Sequence, residues 1–512
     1  MSTAVIDAAP SGFRRYAVMV STVMAATVYE INISSITVAL PHMQGTFAAT
    51  HDQVSWVVTA FIVGMTVMFA CAGWLSDRFG RKQVFVACTA GFTTASFLCG
   101  AATSIEQEVL WRFLQGALGA PLMPLSQAIV LDSFPRERHG MANAIWGIAV
   151  MVGPASGPAL GGLIVEHYAW PWAFFVNVPF GVAATVATWM LLTESKARTD
   201  RRMDWLGLIT LVTAVAALQL ILNRGERLDW FDSREIVIAS IVVALCLYLF
   251  VVHSATTRHP FLEPQMFRDR NTVIGLAISF VWGFVLHGNL VLISLLMQEL
   301  RGFPVMTLGL MMSPRGFGVM VGMLVAGQLV RHMDPRVLLG CGLSTLGLSA
   351  WAMSQWTADV SAWDVLWTGG LQGIGTGLGF VPLSTMTFST LDARYRTEGL
   401  TLFNLVLFSG ISSGIAVAVN ILTRSININH ATLSEYVSPF NELLRLPGAA
   451  GLLGHAQRSG LAALDWEISR QATMIGYLNN FHLVALLSLL VVPLAFMFRR
   501  TRGAAGSGGG GH

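Results

Sequence analysis

Helix-length apolar runs, separated by short charged turns, recur from one end of this chain to the other. A run of about 20 apolar residues crosses a hydrocarbon core of ~30 Å as an α-helix. Inside lipid the backbone must satisfy its own polar groups, which leaves helices or closed barrels. Helix-length spacing selects the helix. Composition agrees, since a soluble domain carries about 25% charged residues and these 512 residues carry 12%, against 54% hydrophobic. The reading is an all-α integral membrane protein. Fourteen spans are predicted, near 16–38, 54–75, 84–103, 109–131, 141–165, 173–193, 204–222, 235–253, 272–297, 306–330, 337–357, 363–387, 399–422 and 479–498.

The placement of positive charge orients these spans. With both termini cytoplasmic, 21 of the 31 Lys and Arg residues fall in inner segments, eight fall outside, and Arg112 and Arg315 lie within helices. That bias is the positive-inside pattern. The first apolar run is helix-length and lacks a small-residue cleavage pattern, so it reads as a span rather than a signal peptide. The five cysteines all fall in predicted helices without a C-x-x-C pair, which makes them packing residues rather than disulfide or metal ligands. A formal charge of +3 gives no indication of nucleic acid.

The chain also repeats itself. Leu114-Gln-Gly116 returns as Leu371-Gln-Gly373, Pro124-Leu-Ser126 as Pro382-Leu-Ser384, Arg136-x-Arg138 as Arg394-x-Arg396, and Gly73-x-Leu75 as Gly327-x-Leu329. Two homologous six-helix bundles, residues 1–198 and 259–502, therefore flank a two-helix insert at 199–258. The second bundle carries a long external segment at 423–478, and the Gly/Ser-rich residues 503–512 read as an appended tail. Duplicated halves around a midplane cavity form a transporter plan, worked by rocking one half against the other.

The organising stretch runs from Glu108 to Gly162, as two apolar helices joined by the charged turn 134–140. The first carries Arg112 and ends at Asp132. On the second, Gly153, Gly157 and Gly161 recur every four residues and present a smooth face for close helix contact. Pro154 and Pro158 beside them remove two backbone donors and permit a bend. Upstream, Gly73-Trp-Leu-Ser-Asp-Arg-Phe-Gly-Arg-Lys82 resembles the loop signature of the major facilitator superfamily between helices 2 and 3. Gly147-x5-Gly153-Pro154-x2-Gly157-Pro158-x2-Gly161-Gly162 resembles its antiporter signature. Trp172 to Gly181 and Ser313-Pro-Arg-Gly316 are similar to further marks of the fourteen-helix drug:proton antiporters, the EmrB/QacA type.

The resemblance implies a drug:proton antiporter of the bacterial cytoplasmic membrane, exporting amphipathic small molecules by alternating access. It implies a conformational latch at Gly73, Asp77, Arg78, Gly80 and Arg81, and a seal or hinge at Gly153, Pro154, Gly157, Pro158 and Gly161. The proton gradient would be the driving force, with no cofactor. In Gram-negative relatives the implied partner is a periplasmic membrane-fusion adaptor.

Ionisable residues deep in a membrane are costly and mark function by default. Here they are Glu30, Arg112, His287 and Arg315, with His482 near an outer boundary. At 1.5 Å per residue, Glu30 lies about 4 Å and Arg112 about 12 Å outward of the centres of their helices, within reach of one another. The family's helix-1 aspartate, nine residues before the closing proline, corresponds to Asn32 here. The repeat offset carries Glu30 onto His287 and Asn32 onto Asn289. One reading is a shared polar layer with Glu30 and His287 as its titrating pair, and the other is two satisfied polar spots in a wet cavity. Asp132 is a further candidate for the proton path.

Other signals point away from different chemistries. Gly373-x-Gly-x-Gly-x-Gly379 lies inside an apolar helix with no preceding strand, so it reads as helix packing rather than a nucleotide loop. No Walker motif is present, and ATP is not expected as the direct energy source. No nucleophile–base constellation suggests an enzyme. A narrow-specificity metabolite transporter and a transport-dead sensor remain as alternatives. Retained Glu30 and Arg112 favour transport.

Overall fold

The computed structural model describes residues 12–135, 138–194, 204–225, 228–257, 260–330, 332–392, 395–437 and 458–499. The tail 503–512, Arg136, Arg394 and the apolar pair Leu443-Leu444 lie outside the described residues. Within them the regular structure is helical. The first half comprises α1 (Gly12–Thr46), α2 (His51–Phe79), α3 (Arg81–Gly100), α4 (Ile105–Gly119), α5 (Leu122–Ser133), α6 (His139–His167), α7 (Trp172–Phe175) and α8 (Asn177–Leu191). The insert is α9 (Trp205–Arg224) and α10 (Arg234–Thr256). The second half comprises α11 (Arg270–Leu295), α12 (Val305–Leu329), α13 (Pro335–Met353), α14 (Ala362–Thr387), α15 (Arg396–Glu435), α16 (Arg458–Leu490) and α17 (Val492–Phe496). Helix α11 runs on through one π-helical turn, Leu296–Leu300.

Among the described residues, eleven helical segments are long and apolar enough to cross a membrane, and twelve if the bent helix α2 counts as one span. The glycine-rich α6 and α14, 29 and 26 residues long, occupy the other two predicted spans, so the architecture is consistent with fourteen. Among the described residues three predicted spans are interrupted, one of them, 479–498, at Val491 between α16 and α17. The fourth breaks at Ala120-Pro121 into α4 and α5, where proline removes a backbone donor. The sixth breaks at Val176 into α7 and α8.

Helix starts follow local capping chemistry. Thr50 and Gln53 form a capping box at α2, and Ser361 and Asp364 form another at α14. Ser104 caps α4 by accepting from the Gln107 amide. That cap starts the helix at Ile105, four residues before the predicted 109, and draws Glu108 into it.

The external segment also departs from expectation. Residues 423–435 continue α15, and 458–478, including Leu461 to Ile468, belong to α16. The two helices pack together here: Asn479 donates to Ser425 at 3.0 Å, and His430 lies 3.4 Å from Asp465. Leu422 and Ile426 close over Gly476. Small and apolar residues at helical spacing hold the pair together, and the apolar piece Leu461 to Ile468 that suggested a small helical cap is part of α16.

The repeat is visible in the packing. In the first half α1 lies on α6 and α2 on α4; in the second, α11 lies on α15 and α12 on α14. Glycines bring these backbones close. A Cβ at Gly64 would stand 2.1 Å from the Phe113 carbonyl, one at Gly410 2.2 Å from that of Phe280, and one at Gly373 2.0 Å from that of Arg315. The last contact assigns the Gly373–Gly379 run to helix packing.

The insert helix α9 packs on α2 and α15, and α10 packs mainly on α9. Its anchors are polar. Arg224 bonds Glu235 of α10 at 2.5 Å and lies 4.8 Å from the Trp56 ring of α2. At the other end Asp204 accepts from the Gly207 and Phe261 amides and meets His253 at 2.7 Å.

Candidate functional site

The two halves meet on the side of the membrane that holds the start of α1, called here the N-terminal face. There α6 packs on α12 and α2 on α15. Phe69 stacks on Phe408 with ring centres 4.6 Å apart, and Gly147 lies against the Met323 thioether. Between the halves is a cavity of about 100 Å³. Its lining is mostly apolar and aromatic, including Trp146, Trp282, Phe380 and Phe403, with Glu30 from α1 and His287 from α11 on its wall. Drug-sized ligands occupy roughly 300–1,000 Å³. The cavity is smaller than that in this state.

The pseudo-symmetric pairs divide between two environments. Glu30 and His287 reach the same cavity, as the repeat arithmetic places them. Asn32 and Asn289 do not line it and are buried within their own halves. Positions two apart point about 200° apart around a helix, so E-x-N and H-x-N cannot form one layer. Asn289 donates to the Met353 thioether at 3.4 Å, and its side-chain oxygen has no described partner.

Arg112 does not pair with Glu30. Its Nη1 donates to Asn32 Oδ1 at 3.0 Å and to Gln115 Oε1 at 2.6 Å, and its Nε to the Val57 carbonyl at 3.4 Å. Gln115 passes the chain on to Ser96 at 2.7 Å. The Phe61 ring lies 4.2 Å and the Phe174 ring 5.7 Å from the guanidinium carbon. Asn32, at the position of the family's aspartate, thus supplies a neutral acceptor. In the second half Arg315 donates to the Leu286 carbonyl at 3.0 Å.

The glycine face of α6 is turned onto α1, the helix that carries Glu30. A Cβ at Gly153 would stand 2.3 Å from the Glu30 Cβ, and one at Gly161 2.8 Å from the Ser35 carbonyl. Ser35 donates to the Gly157 carbonyl at 2.9 Å, and Thr27 to that of Ala149 at 3.0 Å. The helix is unbroken through Pro154 and Pro158.

At the N-terminal face, α2 carries Gly73, Asp77 and Arg78 in its last two turns and breaks at Gly80, whose φ of 88° favours glycine. Arg81, the first residue of α3, forms an ion pair with Asp132 at the end of α5. This brings together two residues that the sequence singled out separately. Their side chains are 31% and 64% exposed, and such pairs contribute about 0–1 kcal/mol. A contact that weak can open in every cycle. Asp132→Asn is expected to leave thermal stability nearly unchanged while slowing transport, and Asp77→Asn to weaken transport with folding intact. Chemical denaturation paired with flux assays reads both, and unaltered flux in both variants would rule the latch out.

Sequence reasoning missed two residues. Glu108 is completely buried one turn from Arg112, and its capping serine was the available signal. Arg224, one of the eight basic residues counted as lying in outer segments, is buried against Trp56 and Glu235. Its place at the end of an apolar run gave no hint of that.

The family model described as Major Facilitator Superfamily matches residues 22–415, and the chain belongs to that superfamily of membrane transporters. Within it the similarity is to EmrB-type proteins. The chain is 31% identical to the multidrug export protein EmrB of Escherichia coli K12, over 97% of this chain and 98% of that protein. It is 32% identical to the fatty acid resistance protein FarB of Neisseria gonorrhoeae, over 93% and 94%. Among solved structures, the human organic anion transporter MFSD10 aligns with a TM-score of 0.58 at 15% identity, covering 94% of this chain and 99% of that one. A bacterial homologue of the human lysosomal transporter Spinster, inward-facing and unoccupied, aligns with a TM-score of 0.55 at 16% identity, covering 96% and 100%. At those identities the last two likenesses concern the fold.

Proposed function

We propose that this protein is a proton-coupled exporter of amphipathic small molecules, working by alternating access across a bacterial cytoplasmic membrane with both termini in the cytoplasm. The observation that carries this reading is the cavity between the halves, mostly apolar and aromatic, with an acid from one half, an imidazole from the other and a few neutral polar side chains, Gln127, Thr376, Ser384 and Asn404, on its wall. Apolar walls suit a hydrophobic ligand, and a few polar groups orient it. The relatives named for multidrug export and fatty acid resistance support the same direction. Glu30 is the group for which a proton and a cationic substrate compete.

No cofactor is required in this scheme. A proton falling through ~100 mV supplies about 2.3 kcal/mol, and each pH unit adds roughly 1.4. For an uncharged substrate one proton per cycle sustains a gradient of about a hundredfold or more; for a monocation the electrical share cancels and the pH difference alone drives exchange. A periplasmic adaptor is the proposed partner, with the outer ends of α15 and α16 as the exposed structure nearest to it. Flux from proteoliposomes under an imposed pH gradient, screened over dyes and metabolites, tests the scheme. Ligand binding with no proton-linked flux would instead identify a sensor.

A further inference from the structure

Glu108 lies in the first turn of α4, on the face of the membrane opposite the N terminus. It is completely buried, and neither carboxylate oxygen has a hydrogen-bond partner among the described residues. A structural carboxylate uses its lone pairs, and a buried one left unmatched costs several kcal/mol as an anion. Its surroundings do not supply the missing donors. On its own helix the charged neighbour is Arg112, four residues on and therefore on the same side. From α3 comes Cys99, whose thiol reaches Gln115 Oε1 at 3.8 Å. From α1 come Tyr29, whose hydroxyl is itself without a described partner, and Glu30 on the cavity wall. Arg112, for its part, spends its hydrogen bonds on neutral acceptors. A buried cation thus has no bonded counter-ion, and a buried acid one turn away has no bonded donor.

We propose that Glu108 is a proton-binding site loaded from the face opposite the N terminus, and that its charge controls the grip of Arg112 on α1. This rests on the proton-driven reading above. A proton from water on that face adds to one carboxylate oxygen and gives the neutral acid; the same proton leaves when the acid ionises. As the anion, Glu108 balances the Arg112 charge. As the acid it does not, and the guanidinium then leans on Asn32 Oδ1, its contact on the helix that carries Glu30. Proton binding near one face is thereby passed to the acid on the cavity wall. Glu108 binds the proton, and Arg112 and Asn32 are positioning residues.

The test uses the full chain reconstituted in lipid, followed by infrared difference spectroscopy through a pH titration, with ethidium as the transport probe. Acidification is expected to produce a protonated-carboxyl band that Glu108→Gln lacks and Glu30→Gln retains. Glu108→Gln is expected to lose proton-driven ethidium efflux but keep ethidium exchange in the absence of a gradient, and Glu108→Asp to recover part of the efflux. In Asn32→Asp, which gives Arg112 a bonded counter-ion, the midpoint of the Glu108 band should move. A Glu108→Gln spectrum identical to wild type, or wild-type efflux from that variant, overturns the proposal, as does an unmoved midpoint in Asn32→Asp. If the wild-type protein moves no ethidium with a proton gradient, the exporter reading is at fault for that probe. The infrared band still decides Glu108.

Discussion

Glu30→Gln should abolish proton-driven efflux while leaving the protein folded. Glutamine keeps the size of the side chain and resembles the neutral acid, but it cannot ionise. Glu30 is the acid on the wall of the cavity between the halves, so without it proton and substrate no longer compete for one group. Exchange then has nothing to couple it. The variant should still bind neutral ligands, because most of the remaining wall is apolar and its other polar groups are untouched. His287→Ala, across the same cavity, should impair efflux less or alter its pH dependence. The measurement is accumulation in proteoliposomes against an imposed pH difference. If Glu30→Gln still accumulates substrate there, the cavity acid is not the coupling group, and Asp132 and His287 become the next to test.

The second large effect is expected from Gly153→Leu. Even alanine would place a Cβ 2.3 Å from the Glu30 Cβ and 2.9 Å from the backbone of Glu30 and Ile31. Backbone cannot swing aside as a side-chain end can, so α1 and α6 must part. Overpacking of this kind costs about 1–3 kcal/mol or more, and here it also displaces the acid. Gly147→Ala is the control. Its Cβ would meet the Met323 thioether at 2.6 Å, the end of a flexible side chain that can move away. Melting temperature in detergent and efflux should both fall steeply for Gly153→Leu and little for Gly147→Ala. Equal behaviour of the two would show that the α1–α6 contact is looser than described.

Much of this was legible in the sequence for physical reasons that are local. Apolar length gives spans, and repeated short motifs give the two halves. Glycines at every fourth position of α6 announced a close helix contact, although not that its partner was the Glu30 helix. The repeat offset linked Glu30 to His287, and both line one cavity. The same arithmetic failed for Asn32 and Asn289, because an offset preserves depth while a two-residue step turns the side chain to the far side of its helix. Reach along the membrane normal likewise suggested Glu30 for Arg112. Lateral packing, which no linear measure contains, gives it Asn32 and Gln115 instead. Glu108 opens the organising stretch in the sequence, but nothing local shows that its carboxylate is buried one turn from Arg112.

Helix α15 is 40 residues long and α16 is 33, whereas about 20 suffice to cross the hydrocarbon core. At 1.5 Å per residue α15 is about 60 Å long, roughly twice that thickness. Packed side by side, the surplus lengths make a stiff mast fixed to the second half. A mast turns with its base. If that half tilts by roughly 10°, a tip about 30 Å beyond the pivot sweeps on the order of 5 Å. Small rotations at the hidden centre of the molecule thus become visible displacements outside the bilayer, where a spectroscopic label or a second protein can sense them.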